Sequence, residues 1–134
     1  MPDPTANDLN RITSTIIERA ISIHRQFGPG LLESAYEACL CQGLIKAGLG
    51  IEREQMRPLV YDGLKLENAY RADVVVEGWV LVEVKALETL LPINRRQLST
   101  YLRLGDYRVG LLLNFGAMMM REGIVRIVNK FPAS

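Results

Sequence analysis

A chain of 134 residues with 49% hydrophobic and 23% charged residues reads as one ordinary globular domain, long enough to bury about two-thirds of its unfolded surface without disulfides. Its formal net charge of +1 argues against tight non-specific nucleic-acid binding over the whole surface, but leaves room for a local basic groove. No apolar run nears the ~20 residues of a membrane span, and the opening Met-Pro-Asp-Pro-Thr-Ala-Asn-Asp lacks the parts of a signal peptide, so a cytoplasmic protein without membrane contact is expected.

Residues 1–6 are expected to be disordered. From Asn7 or Asp8, both good N-caps, Leu9, Ile12, Ile16, Ala20, Ile23 and Phe27 recur at helical spacing, and Gly28-Pro29-Gly30 ends the helix. A second helix is expected from Leu31 to about Ala47, stopped by Gly48. On it Glu33, Tyr36 and Glu37 stand at i, i+3 and i+4 and so share a face. Lone His24 has no neighbouring metal ligands and reads as a packing or hydrogen-bonding residue. Cys39 and Cys41, two apart on a helix, diverge by roughly 200° and share neither disulfide nor metal.

Strand-like segments follow at Ile51–Tyr61, Leu64–Ala69, Tyr70–Val76, which continues that strand or begins the next, and Trp79–Lys85, with Asp62-Gly63 a strong hairpin signal. Pro92 starts a helix over Ile93–Leu104, the most basic in the chain, with Arg95, Arg96 and Arg103. Gln97 and Tyr101 lie four apart on one of its faces. Tyr107–Asn114 and Gly123–Asn129 complete the strands, and Met118-Met119-Met120 reads as loop or rim packing. This order predicts one α/β domain over residues 1–134: a mixed central sheet flanked by helices, with a parallel crossover through Ile93–Leu104.

The chemistry is expected in Arg71–Lys85. Val74, Val75, Val76, Val80, Val82 and Val84 have the β-branched bias of strands covered on both faces, so Asp73, Glu83 and Lys85 fall where charge is costly. Strand alternation puts Glu83 and Lys85 on one face beside Leu81. Two carboxylates and an ammonium are the parts needed to hold a divalent cation and steer a water molecule. Register decides whether they meet. A two-residue turn at Glu77-Gly78 would set Asp73 opposite Val82, on the wrong face. A three-residue loop, Val76-Glu77-Gly78 with Gly78 left-handed, sets Asp73 opposite Leu81, on the face of Glu83 and Lys85, and is the one expected.

These residues resemble a known family. Gly30-Leu31-Leu32-Glu33-Ser34-Ala35-Tyr36 fits the signature of the GxxExxY proteins, within the PD-(D/E)XK nuclease superfamily. The likeness continues through Arg71-Ala72-Asp73, Glu83-Val84-Lys85, Gln97 with Tyr101, and Leu113-Asn114-Phe115-Gly116. The superfamily's nominal proline before the aspartate is Ala72 here. The resemblance implies a restriction-endonuclease-like core with an extra N-terminal helix and a Mg2+-dependent phosphodiesterase site, with Mn2+ as a substitute. It implies Asp73, Glu83 and the Val84 carbonyl as metal ligands, with Glu33 joining them directly or through water. Lys85 would hold the attacking water or the scissile phosphate, supported by Gln97. Tyr36, Tyr101, Arg95, Arg96 and Arg103 would contact the substrate, expected to be DNA and alternatively RNA. A second reading is a non-catalytic nucleic-acid-binding or protein-interaction module retaining the fold. So small a domain leaves selectivity to nucleic-acid structure, to a homodimer or to a targeting partner.

Overall fold

The structure, a computed structural model, describes residues 2–133. Helix α1 runs Ala6–Phe27 and α2 Glu33–Lys46, followed by β1 (Ile51–Tyr61), β2 (Leu64–Val76) and β3 (Val80–Lys85). Helix α3 (Pro92–Gly105) leads to β4 (Val109–Asn114) and, after a 3-10 turn over Met120–Gly123, to β5 (Ile124–Val128). All five strands form one sheet in the order β1-β2-β3-β4-β5. The β3–β4 pair, joined through α3, is parallel and the other three are antiparallel, giving the expected mixed sheet.

Alternation along the central strands divides the core. Val80, Val82 and Val84 of β3, with Val109, Leu111 and Leu113 of β4, pack with the buried stripes of α1 (Leu9, Ile12, Ile16, Ala20) and α2 (Leu40, Cys41, Leu44). Leu81, Leu112 and Val75 instead pack with Leu98 and Leu102 of α3. The sheet is therefore covered on both faces, which is why its two central strands are almost wholly apolar.

Several boundaries move for identifiable reasons. Thr5, not Asn7 or Asp8, caps α1: its hydroxyl accepts from the Asp8 N–H at 3.1 Å, and Asp8 accepts from the Thr5 N–H at 3.0 Å. Of the segment expected to be disordered, Met1 lies outside the described residues, while Pro4 and Ala6 are buried. Tyr70–Val76 takes the first of its two alternatives and continues the strand begun at Leu64. His24 Nε2 donates to the Ala117 carbonyl at 2.7 Å, the hydrogen-bonding role expected of it.

The long strands outrun the rest of the sheet, since β2 pairs with β3 only over Val74–Val76. Beyond, the β1–β2 hairpin continues as a two-stranded ribbon, closed at Asp62 (φ 46°) and Gly63 (φ 82°). Its pairs Leu59↔Leu66 and Tyr61↔Leu64 place four apolar side chains on one face.

Candidate active site

The loop between β2 and β3 decides which way Asp73 faces. The register Val76↔Val80, Val75↔Leu81, Val74↔Val82 leaves three residues in the loop, as expected, but they are Glu77, Gly78 and Trp79. Trp79 is drawn out of the strand because its N–H closes on the Val76 carbonyl at 3.1 Å, while its own carbonyl accepts the N–H groups of Arg108 and Val109. Gly78 is left-handed at φ 73°, and Glu77 is too at φ 53°. The loop is thus shifted by one residue from the expected Val76-Glu77-Gly78. Parity is preserved, yet the next pair in line brings Asp73 to Glu83 rather than to Leu81.

At that pair the regular ladder gives way. The Asp73 N–H donates to the Glu83 carboxylate at 3.0 Å, and the Val84 N–H donates to the Asp73 carboxylate at 3.2 Å. Each acid thus binds a backbone donor of the other strand, and the two side chains are locked together although they repel. The neighbouring β1 is irregular at the same level: Arg53 pairs with Val74 and Gln55 with Ala72, with Glu54 between them at φ 52°. Consistent with a break in alternation, Ala72 and Val75 pack into the same cluster though three residues apart.

Asp73 and Glu83 are only 5% and 4% exposed. Burial pushes the Glu83 carboxyl up to about 8, and the Asp73 charge adds to the rise. The Asp73 N–H, Lys85 and Arg71 oppose it. Asp73 is paired at 3.1 Å with Arg71, two residues back on its own strand. Lys85, half-buried at the end of β3, has no ion-pair partner within 4 Å among the described residues. Its backbone is nonetheless fixed. The Lys85 carbonyl accepts the Phe115 N–H at 2.8 Å, and buried Asn114 holds Leu87 by two side-chain bonds, accepting its N–H at 2.8 Å and donating to its carbonyl at 2.9 Å. A Cβ on Gly116 would collide with the Leu87 backbone, so this strand end needs glycine there.

From the α3 side, Tyr101 stacks on Tyr70 with ring centroids 4.5 Å apart. Its phenol is pushed up by burial and then by the Glu83 charge, against a hydrogen bond from Gln97. The Tyr101 phenol thus feels the Glu83 charge, while Gln97 is exposed. Arg95, Arg96 and Arg103 are exposed. Helical geometry sets Arg95 roughly 200° from Gln97, and Arg103 equally far from Tyr101, so neither shares the site-facing side. Arg103 is spent on Ser99 and Thr100 of its own helix.

Helix α2 contributes differently from expectation. Glu33 is exposed, whereas Glu37, one turn later, is 4% exposed and paired with Arg53 at 2.9 Å. Burial raises the Glu37 carboxyl, Arg53 lowers it and the Asp73 charge raises it again, so Glu37 is the α2 acid that senses the site. Tyr36 is fully buried. Its hydroxyl donates to the Gly28 carbonyl at 2.6 Å and accepts from the Leu31 N–H at 3.0 Å, and its ring stacks on Phe115, leaving nothing exposed for a substrate. Glu37, Arg53 and Arg71 were not singled out from the sequence. For Glu37 a signal existed: with Leu40, Cys41 and Leu44 it completes an i, i+3, i+4, i+7 stripe, all of it buried.

No group of three His, Cys, Asp or Glu side chains converges tightly enough to hold a metal ion among the described residues. The pair Asp73–Glu83 is nevertheless suited in chemistry to a hard divalent cation. It offers oxygen donors, it is buried, and its mutual repulsion is relieved by positive charge.

No helix among the described residues is long and apolar enough to cross a membrane. No curated protein and no solved structure matches the chain. The sequence pattern of the PD-(D/E)XK nuclease superfamily matches residues 10–127, taking in both helices before the sheet, the Asp73–Glu83 pair and α3. The chain belongs to the PD-(D/E)XK nuclease superfamily.

Proposed function

We propose that this protein is a divalent-cation-dependent nuclease, with Mg2+ as the resident ion and DNA, alternatively RNA, as the substrate. The fit of Gly30–Tyr36 to the GxxExxY signature supports reading it as a member of that branch of the superfamily. The observation that carries the reading is the reciprocal hold of Asp73 and Glu83 on each other's strands, with unpaired Lys85 beside them. Asp73, Glu83 and the Val84 carbonyl would hold the cation, with water completing its shell. A magnesium ion bound there supplies charge neutralisation of the phosphate and acidifies its own water. The Lys85 ammonium, free of carboxylate partners, positions the attacking water or the scissile phosphate. Gln97 and Tyr101 fix the orientation of that group from α3. Arg96 adds local positive charge at the start of the same helix. A second copy or a targeting partner would supply the selectivity that so small a surface lacks, and the apolar face of the β1–β2 ribbon is available to it.

The test is incubation with single-stranded, duplex and branched DNA and with RNA, in Mg2+ or Mn2+, comparing wild type with Lys85→Ala. Cleavage of at least one substrate by wild type, reduced 100-fold or more in the variant, is expected. No cleavage of any substrate together with no metal binding by calorimetry would support the non-catalytic module instead. That alternative draws on the Arg71 pair that already covers Asp73.

A further inference from the structure

Two buried carboxylates of this region are each covered by a guanidinium from a neighbouring strand position, Arg71 on Asp73 and Arg53 on Glu37. The two pairs differ in what they adjoin. Arg53 spans from β1 to α2, and the acid it holds is outside the Asp73–Glu83 exchange. Arg71 sits on the acid that also accepts the Val84 N–H and lies against Glu83. The Arg71 side chain is 51% exposed while Asp73 is 8% exposed, so the guanidinium lies at the rim between the buried acids and solvent. An Arg has five N–H donors, and among the described residues only one of those of Arg71 has a partner.

We infer that Arg71 is a phosphate-clamping residue, parked on Asp73 until a divalent cation displaces it. The inference rests on the cation-dependent nuclease reading above. A cation bound by Asp73 and a guanidinium on the same carboxylate repel each other, and they compete for its Oδ1, since Oδ2 already accepts the Val84 N–H. The half-exposed pair is the weaker partner, because solvent screens it and little is lost when it opens. The freed guanidinium is planar, permanently charged and matched to two phosphate oxygens at once, a geometry that ammonium groups do not offer. Its place in the chain, two residues from Asp73 on the same strand, keeps it within a side chain's length of the backbone that is to be cut. Arg71 thus serves the metal-free molecule as a stand-in cation and the loaded one as a substrate contact.

Binding measurements separate this from a structural ion pair without relying on turnover. Mn2+ alone is titrated into wild type, Arg71→Gln and Arg71→Lys by calorimetry. Binding of a fluorescent single-stranded oligodeoxynucleotide is then followed by anisotropy in Ca2+. For Arg71→Gln the expected result is Mn2+ affinity unchanged or up to ~10-fold tighter, because a competing charge is gone, with oligonucleotide affinity at least 10-fold weaker. Arg71→Lys, which keeps the charge but not the fork, should recover Mn2+ competition and only part of the oligonucleotide binding. Weaker Mn2+ binding by Arg71→Gln, or unchanged oligonucleotide affinity while wild type binds both, would overturn the clamp and leave the nuclease reading standing. Failure of wild type to bind either ligand would remove both.

Discussion

Glu83 lies where a carboxylate is hard to ionise, buried beside Asp73 with Lys85 and Arg71 only partly offsetting that charge. Between about pH 4.5 and pH 8 the folded molecule retains a proton on Glu83 that the unfolded chain releases. Stability therefore falls as pH rises through this window, by about 1.4 kcal/mol for each unit by which the two pKa values differ. Glu83→Gln removes the titration while its amide oxygen can still accept the Asp73 N–H. Denaturant melts from pH 5 to pH 8 should show wild type losing stability relative to Glu83→Gln as pH rises. A constant difference would place the Glu83 pKa in the ordinary range and weaken the case for a strained pair. At the same scale Arg71, quoted in the sequence beside Asp73 but given no role there, acquires one only from the 3.1 Å contact and its half-exposed side chain.

At the level of elements, the site depends on the shared end of β3 and β4. Asn114, opposite Lys85 in the parallel register, holds Leu87 by two bonds, and its side-chain oxygen also accepts the Gly116 N–H at 3.1 Å. Asn114→Ala should lower stability by about 1–3 kcal/mol, since it leaves partly buried backbone groups of Leu87 unpaired. It should also lower cleavage by loosening the chain that follows Lys85. Chemical denaturation and the cleavage assay check both effects, and an unchanged melt would show that the clamp is redundant. The strands themselves were legible in the valine-rich run from Val74 to Val84, and the loop length in the need for Asp73 and Glu83 to share a face. The one-residue shift of that loop was not, because it depends on Trp79 bonding to Arg108 and Val109, nearly thirty residues along the chain. The choice between Glu33 and Glu37 was legible only in part. Both lie on one face of α2, and the stripe with Leu40, Cys41 and Leu44 favours Glu37, but its pairing with Arg53 of β1 is a contact that only the fold makes.

Across the whole molecule, a net charge of +1 means that nucleic acid would be held by a few local cations and not by a broad field. Lys85, Arg71 and Arg96 at the start of α3 are those offered to the site, consistent with structure-selective or weakly specific action. The domain as a whole must then tolerate two acids locked together in its core when no cation is present. The most direct test of that claim is thermal melting of wild type, Asp73→Asn and Glu83→Gln with and without Mg2+. Wild type should melt higher with Mg2+. Above pH 8, where Glu83 ionises, both variants should melt at or above the metal-free wild type and gain nothing from Mg2+, because each removes a repelling charge together with a ligand. Marked destabilisation of both variants without metal, with an undiminished response to Mg2+, would contradict the account and make Asp73 and Glu83 parts of a structural network.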